Sequence, residues 1–330
     1  MHPSHSAASL ILCTVFLPAL LIAGPAVAPV AGVTAIAGIT ANSSTSSAPG
    51  VAEVAVATSR LINFSVRANA GIGEQTLVVG FTTGGAGVMQ TLVRCVGPTL
   101  MQFGFTDTNS DPELRLFNGT GVLVCHNDNW GGDLALKLAF SLVGAFALPF
   151  NSRDAAFAPV LATGAYTALA SGVPVVAGAM PPTGTVLLEV YDAGATASDA
   201  RLVNLSARNQ VGIGENVLIA GFVIAGNAPK TFLIRGVGPG LTPFGVTGAL
   251  VDPKLSVFDA KGLVIAQNDD WGGTAALSSA ATQAGAFALP ASSKDAAVIV
   301  TLLPGAYTAQ VGGVSGMTGV GLIELYELQP

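Results

Sequence analysis

Arg60-Leu61-Ile62-Asn63-Phe64-Ser65-Val66-Arg67 returns as Arg201-Leu202-Val203-Asn204-Leu205-Ser206-Ala207-Arg208, an offset of 141 residues (201 − 60) that then holds for about a hundred positions. It carries Gly71-Ile72-Gly73-Glu74 onto Gly212-Ile213-Gly214-Glu215 and Arg94 onto Arg235. It also carries Asp111-Pro112 onto Asp252-Pro253 and Gly164-Ala165-Tyr166-Thr167-Ala168 onto Gly305-Ala306-Tyr307-Thr308-Ala309. A unit written twice must fold the same way twice, so each local reading has to hold at both places. The offset falls to 135 (324 − 189) after extra residues of the first copy between Pro174 and Pro182, an insertion that belongs in a loop.

Of 330 residues, 51% are hydrophobic and only 10% charged, enough to bury a core in two domains of ordinary size. Forty-one Gly and 19 Pro, among many Val, Thr and Ala, favour short strands and tight turns. Apolar residues alternate or run for short stretches between Gly, Pro and Asn/Asp clusters, the pattern of strand and turn. In the second copy this places strands near 201–208, 215–223, 230–236, 254–259, 262–267, 295–302, 306–311 and 319–326. Thr120-Gly121 and Lys261-Gly262 are hairpin turns. Asp133 to Val143, with Leu134, Leu138 and Leu142 at helical spacing, and Thr274 to Ala284 interrupt the strands as short helices, N-capped by Asp133 and Thr274. The expected fold is all-β, two tandem jelly-roll-like β-sandwich domains, each with one short helix. Residues 59–194 form repeat 1 and residues 195–330 repeat 2.

Ahead of the repeats, Leu10 to Ala28 is almost wholly apolar, so residues 1–41 read as a signal peptide or an N-terminal membrane anchor. Either places the remainder outside the cytoplasm, secreted or at the cell surface. Residues 42–58, rich in Ser, Thr and Ala, read as a linker. Cys95 and Cys125 both lie in the first copy and are replaced together by Gly236 and Ala266 in the second. They are either a disulfide pair or two small buried hydrophobes. A net charge of −6 supplies no basic surface for nucleic acid.

Scarce charges that occur in both copies carry the most information. Arg94 and Arg235 sit inside apolar strands, where a lone guanidinium is costly to desolvate, so each requires a carboxylate. Glu189 and Glu324, or Asp154 and Asp295, are the expected partners. The segments Asn127-Asp128-Asn129-Trp130-Gly131-Gly132 and Asn268-Asp269-Asp270-Trp271-Gly272-Gly273 admit two readings. Oxygens of Asn127, Asp128, Asn129, Asn268, Asp269 and Asp270 on a Gly-rich loop suit calcium. Alternatively they cap the loop's own amides while Trp130 and Trp271 plug the end of the domain. Exposed, the same indoles would stack on a sugar. Gly71-Ile72-Gly73 and Gly212-Ile213-Gly214 lack the Lys and third glycine of a phosphate loop and read as hairpin turns. His126 is the lone histidine after the apolar run, with Gln267 as its counterpart, so no histidine-based triad or zinc site repeats.

The stretch from Asp252-Pro253-Lys254-Leu255 through Asn268-Asp269-Asp270, with Pro304-Gly305-Ala306-Tyr307-Thr308-Ala309-Gln310-Val311, resembles bacterial pre-peptidase C-terminal-type domains. Over 60–194 and 201–328 the chain is also similar to uncharacterised tandem repeats of large secreted bacterial proteins. The resemblance implies a jelly-roll-like sandwich, secretion, occasional calcium and an accessory role beside catalytic domains. The expected function is therefore a noncatalytic extracellular or cell-surface module that binds glycan or protein, acts as a matrix spacer, or self-associates through sheet edges. A secreted hydrolase with an unrecognised carboxylate site is the alternative.

Overall fold

The computed structural model describes residues 59–174, 179–194 and 199–328. Residues 1–58, where a signal peptide or anchor and a linker are expected, lie outside them. The first copy runs β1 (Ser59–Ala70), β2 (Leu77–Val96), β3 (Pro112–Asn118), β4 (Leu123–Asn127), α1 (Leu134–Leu142), β5 (Ala155–Phe157), β6 (Val160–Gly172) and β7 (Gly184–Asp192). The second runs β8 (Arg201–Val211), β9 (Leu218–Gly226), β10 (Lys230–Val237), β11 (Pro253–Asp259), β12 (Val264–Asn268), α2 (Ala275–Gln283), β13 (Ala296–Leu302), β14 (Gly305–Gly313) and β15 (Gly319–Leu328). All eight strands expected in the second copy are present, and β9 and β10 together repeat the long β2. The protein is all-β with short helices.

Local chemistry explains the turns and helix starts. Gly121 and Gly262 both take φ of 78°, which a residue with a Cβ rarely adopts, and close the β3–β4 and β11–β12 hairpins. Asp133 accepts from the Ala135 and Leu136 amides at 2.7 and 2.9 Å, and Thr274 accepts from Leu277 at 3.4 Å. The leucine stripe on α1 faces solvent. Leu134, Leu138 and Leu142 are 70–74% exposed, while Phe140, with Leu136 and Ala139, points inward. Phe140 wins the buried side because it covers Trp130, with ring centroids 5.5 Å apart.

The pairing of the first strand in each copy departs from the hairpin reading of Gly71-Ile72-Gly73. β1 does not pair with β2, to which that turn leads. It pairs with β7 of its own copy and with β9 of the other copy, while β8 pairs with β15 and with β2. Both joints have one register: Phe64 faces Phe222 as Leu205 faces Phe81, and Val66 faces Ala220 as Ala207 faces Val79. Leu61 and Leu202, equivalent positions of the repeat, pair with each other. That self-pairing marks a pseudo-two-fold axis between the copies. The ladder β1-β7-β2-β8 closes back on β1 there, a barrel-like closure. A 3-10 turn at Gly73–Gln75 redirects the chain between the two ladders instead of closing a hairpin.

One apolar core spans the joint. Leu61, Phe64, Val79 and Phe81 of the first copy belong to the same buried cluster as Leu202, Leu205, Ala220 and Phe222 of the second. Strands with partners on both edges leave no backbone donors or acceptors unmet, so separating the copies would expose four strand edges together with this core. Excised residues 199–330 have open edges on β8 and β9, and are expected to run as a dimer in which β8 of each chain pairs with β9 of the other, in place of the lost β8–β2 and β1–β9 ladders. A well-folded monomer by sedimentation velocity would show that the exchange is dispensable.

Candidate functional site

The duplicated Asn-Asp loops connect β4 to α1 and β12 to α2. Asn127 Nδ2 donates to the Asn129 carbonyl at 2.9 Å, and its Oδ1 accepts from the Ala156 amide at 2.9 Å. Asn268 repeats both bonds, with Asp270 and Ala297, at the same distances. Each Asn thus ties its loop to the start of β5 or β13 with both ends of its amide. Asp128 is half-buried, and Asn129, Asp269 and Asp270 are exposed, with Asp270 receiving a hydrogen bond from Lys294 at 3.1 Å. Among the described residues, no three His, Cys, Asp or Glu side chains gather into a metal-binding group. Gly132 and Gly273 take φ of 69° and 62°, and a Cβ on Gly132 would fall 2.3 Å from the Phe150 ring.

The sugar-stacking role considered for Trp130 and Trp271 requires an exposed indole face, and the structure corrects that reading. They are 5% and 6% exposed, and each Nε1 donates inward, to Pro149 O and Ser152 Oγ or to Pro290 O and Ser293 Oγ, at 3.0–3.2 Å. A buried indole with its N–H satisfied is a plug.

Each copy also buries one arginine within its strands, Arg94 and Arg235. Arg94 Nε donates to Glu189 Oε2 at 2.9 Å, its Nη2 pairs with the same oxygen, and Nη1 donates to the Phe146 carbonyl at 2.6 Å. Arg235 meets Glu324 (2.7 Å from Nε) and the Phe287 carbonyl (2.6 Å) in the same way. Register places each pair directly opposite on neighbouring strands, Arg94 against Glu189 and Arg235 against Glu324. Aromatic rings cover the guanidinium: Phe140 at 4.8 Å and Phe146 at 4.5 Å from Arg94, Phe287 at 4.4 Å from Arg235. Burial pulls the Arg94 pKa down, but Glu189 and Tyr191 outweigh it and the net direction is up.

The other expected partners, Asp154 and Asp295, take a different role. Asp154 accepts from the Gly97 amide at 2.8 Å and from the Thr99 hydroxyl, and Asp295 accepts from the Gly238 and Gly240 amides at 2.7 and 3.1 Å. Each caps the 3-10 turn that follows the Arg strand, at Pro98–Phe103 and Pro239–Phe244. A member the sequence reading missed is the tyrosine. Tyr191 OH donates to Glu189 at 2.6 Å and Tyr326 OH to Glu324 at 2.7 Å. Burial and then the adjacent carboxylate push both phenols well up. The signal was the duplicated Glu-x-Tyr, two positions apart on a strand and so on one face. A second duplicated pair, Asp111 with Arg153 at 2.5 Å and Asp252 with Lys294 at 3.3 Å, lies nearer the surface. Cys95 and Cys125 are free thiols, and burial pushes that of Cys95 well above its ordinary range.

No family model matches the chain, and no curated protein matches it. Solved structures align only loosely. One is the atomic structure of Sulfolobus Turreted Icosahedral Virus, at 10% identity and TM-score 0.20, covering 82% of this chain and 89% of that one. Another is a DUF4785 family protein from Legionella pneumophila, at 8% identity and TM-score 0.19, covering 89% and 88%. PNGF-II aligns at 10% identity and TM-score 0.20, covering 82% and 59%.

Glu324→Gln leaves a buried guanidinium without its counter-charge and is expected to cost about 3–5 kcal/mol in urea unfolding. Replacing both partners, Arg235→Met with Glu324→Leu, is expected to recover most of that loss. Arg235→Met alone with unchanged stability would overturn the ion-pair account.

Proposed function

We propose that this chain is a noncatalytic, exported β module that works as a structural or adhesive unit at the cell surface or in the extracellular matrix. The observation that carries the reading is the fate of the duplicated carboxylates. Glu189, Glu324, Asp154 and Asp295 are buried against arginines and turn amides, whereas a hydrolase would need carboxylates converging in an open cleft. The apolar run from Leu10 to Ala28 supports export. The finer architecture we infer is a pair of two-layered, jelly-roll-like units fused through exchanged strands. Asn127 and Asn268 belong in this reading to loop architecture rather than to calcium.

Contact with other molecules is assigned to the sheet ends. Among the described residues β4 pairs only with β3, and β12 only with β11, so each copy has there a strand with one open edge. These strands carry exposed Leu123, Val124, Val264 and Ile265, and none of the Lys, Glu or Pro residues that guard an edge. An edge of this kind accepts a strand from a protein partner or from a second copy, and its recurrence in both copies suits a spacer that extends end to end. Sedimentation velocity of the purified mature protein is expected to show concentration-dependent association, abolished by Val124→Lys with Ile265→Lys at an unchanged melting temperature. A wild-type chain that stays monomeric at every concentration would remove the edges from the account of function.

A further inference from the structure

The two copies differ at one buried position with a chemical consequence. Phe140 of α1 is 2% exposed, its ring 5.5 Å from the Trp130 ring and 4.8 Å from Arg94 Cζ. Its equivalent in α2, 141 positions on, is Ala281. The second copy has a cavity of about 120 Å³ there, lined by Leu233, Arg235, Trp271, Leu277, Ala281 and Ala297. Of the equivalents in the first copy, Arg94 and Trp130 lie against the Phe140 ring, and Leu92, Leu136 and Ala156 belong to or pack on the same buried cluster. The cavity is thus the place a benzyl ring fills in its twin. It opens past Ser278 and Thr282, both exposed on α2.

We propose that this cavity is a binding site for a small monocyclic aromatic molecule, of the size of phenol. At about 120 Å³ the cavity is close to the about 150 Å³ of one that encloses benzene, and it is open on the side of Ser278 and Thr282. The chemistry fits as well. The Arg235 guanidinium, 1% exposed, keeps the Phe287 ring at 4.4 Å and the Tyr326 ring at 5.8 Å but lacks the counterpart of Phe140, the ring 4.8 Å from Arg94, and a desolvated guanidinium favours a π face. Arg235 Nη2 lies 2.5 Å from Glu324 Oε2, so the guanidinium keeps its counter-charge while the same side chain lines the cavity. Trp271 and the apolar wall of α2 enclose the remainder. This site is independent of the sheet edges and of the role assigned to them.

Calorimetric titration of the full mature chain with phenol tests the assignment, with cyclohexanol as a probe of similar size that has no π face. One phenol per chain is expected, with cyclohexanol at least tenfold weaker. Ala281→Phe, which installs the side chain its twin already accommodates, is expected to fold with an equal or higher melting temperature and to bind no phenol. Phe140→Ala is expected to raise the count to two, and Ala281→Phe decides the matter if that variant fails to fold. No heat with phenol at millimolar concentration, unchanged binding to Ala281→Phe, or equal binding of cyclohexanol would each overturn the proposal.

Discussion

The pairing of Leu61 with Leu202 across the pseudo-two-fold axis is the contact on which the rest of the structure depends. Around it each copy hands one edge of its opening strand to the other, β1 to β9 and β8 to β2, in identical register. Backbone groups that would form four open edges in separate domains are satisfied in one continuous ladder. The apolar faces on either side merge into one core. Duplication alone would give two domains on a string. Duplication with exchanged edges gives a body in which neither copy has a complete sheet of its own, the geometry of a domain-swapped dimer written in one chain.

Within that frame the buried arginines fix the two ends. Desolvating a guanidinium is unfavourable, and the attraction to Glu189 or Glu324 offsets the cost only because a second donor contact, a tyrosine hydroxyl and flanking rings complete the shell. Such a network tolerates one register of β2 against β7 and of β10 against β15. A slip by one residue would carry Arg94 to the opposite face of its strand. Trp130 and Trp271 then close the ends, held through their loop by Asn127 and Asn268. The helices add the last cover, α1 with Phe140 and α2 without it.

Much of this was legible in the sequence because it is local. Strand positions followed from alternation, the hairpins from Thr120-Gly121 and Lys261-Gly262, and the helix starts from Asp133 and Thr274. The carboxylate opposite each arginine followed from the cost of burying charge, although the choice of Glu189 over Asp154 depends on which strands become neighbours. The partners of β1 were not legible. Gly71-Ile72-Gly73 is compatible with a hairpin, and nothing in local periodicity distinguishes β2 from β9, which carry the same apolar pattern because they are copies. The orientation of α1 was not legible for a related reason. Leu134, Leu138 and Leu142 form a stripe, but Phe140 lies on the other side and the space above Arg94 and Trp130 selects it. The indoles were ambiguous until Pro149, Ser152, Pro290 and Ser293 were placed beside them.

The exchange is tested most directly by cysteine pairs that distinguish the two possible neighbours of β1. Asn63 faces Val223 across the joint, whereas a β1–β2 hairpin would bring it to Thr82, the equivalent of Val223 in its own copy. Asn63→Cys with Val223→Cys is predicted to form an intrachain disulfide in the native protein, and Asn63→Cys with Thr82→Cys to remain reduced. A crosslink between positions 63 and 82, with none between 63 and 223, would contradict the exchanged architecture.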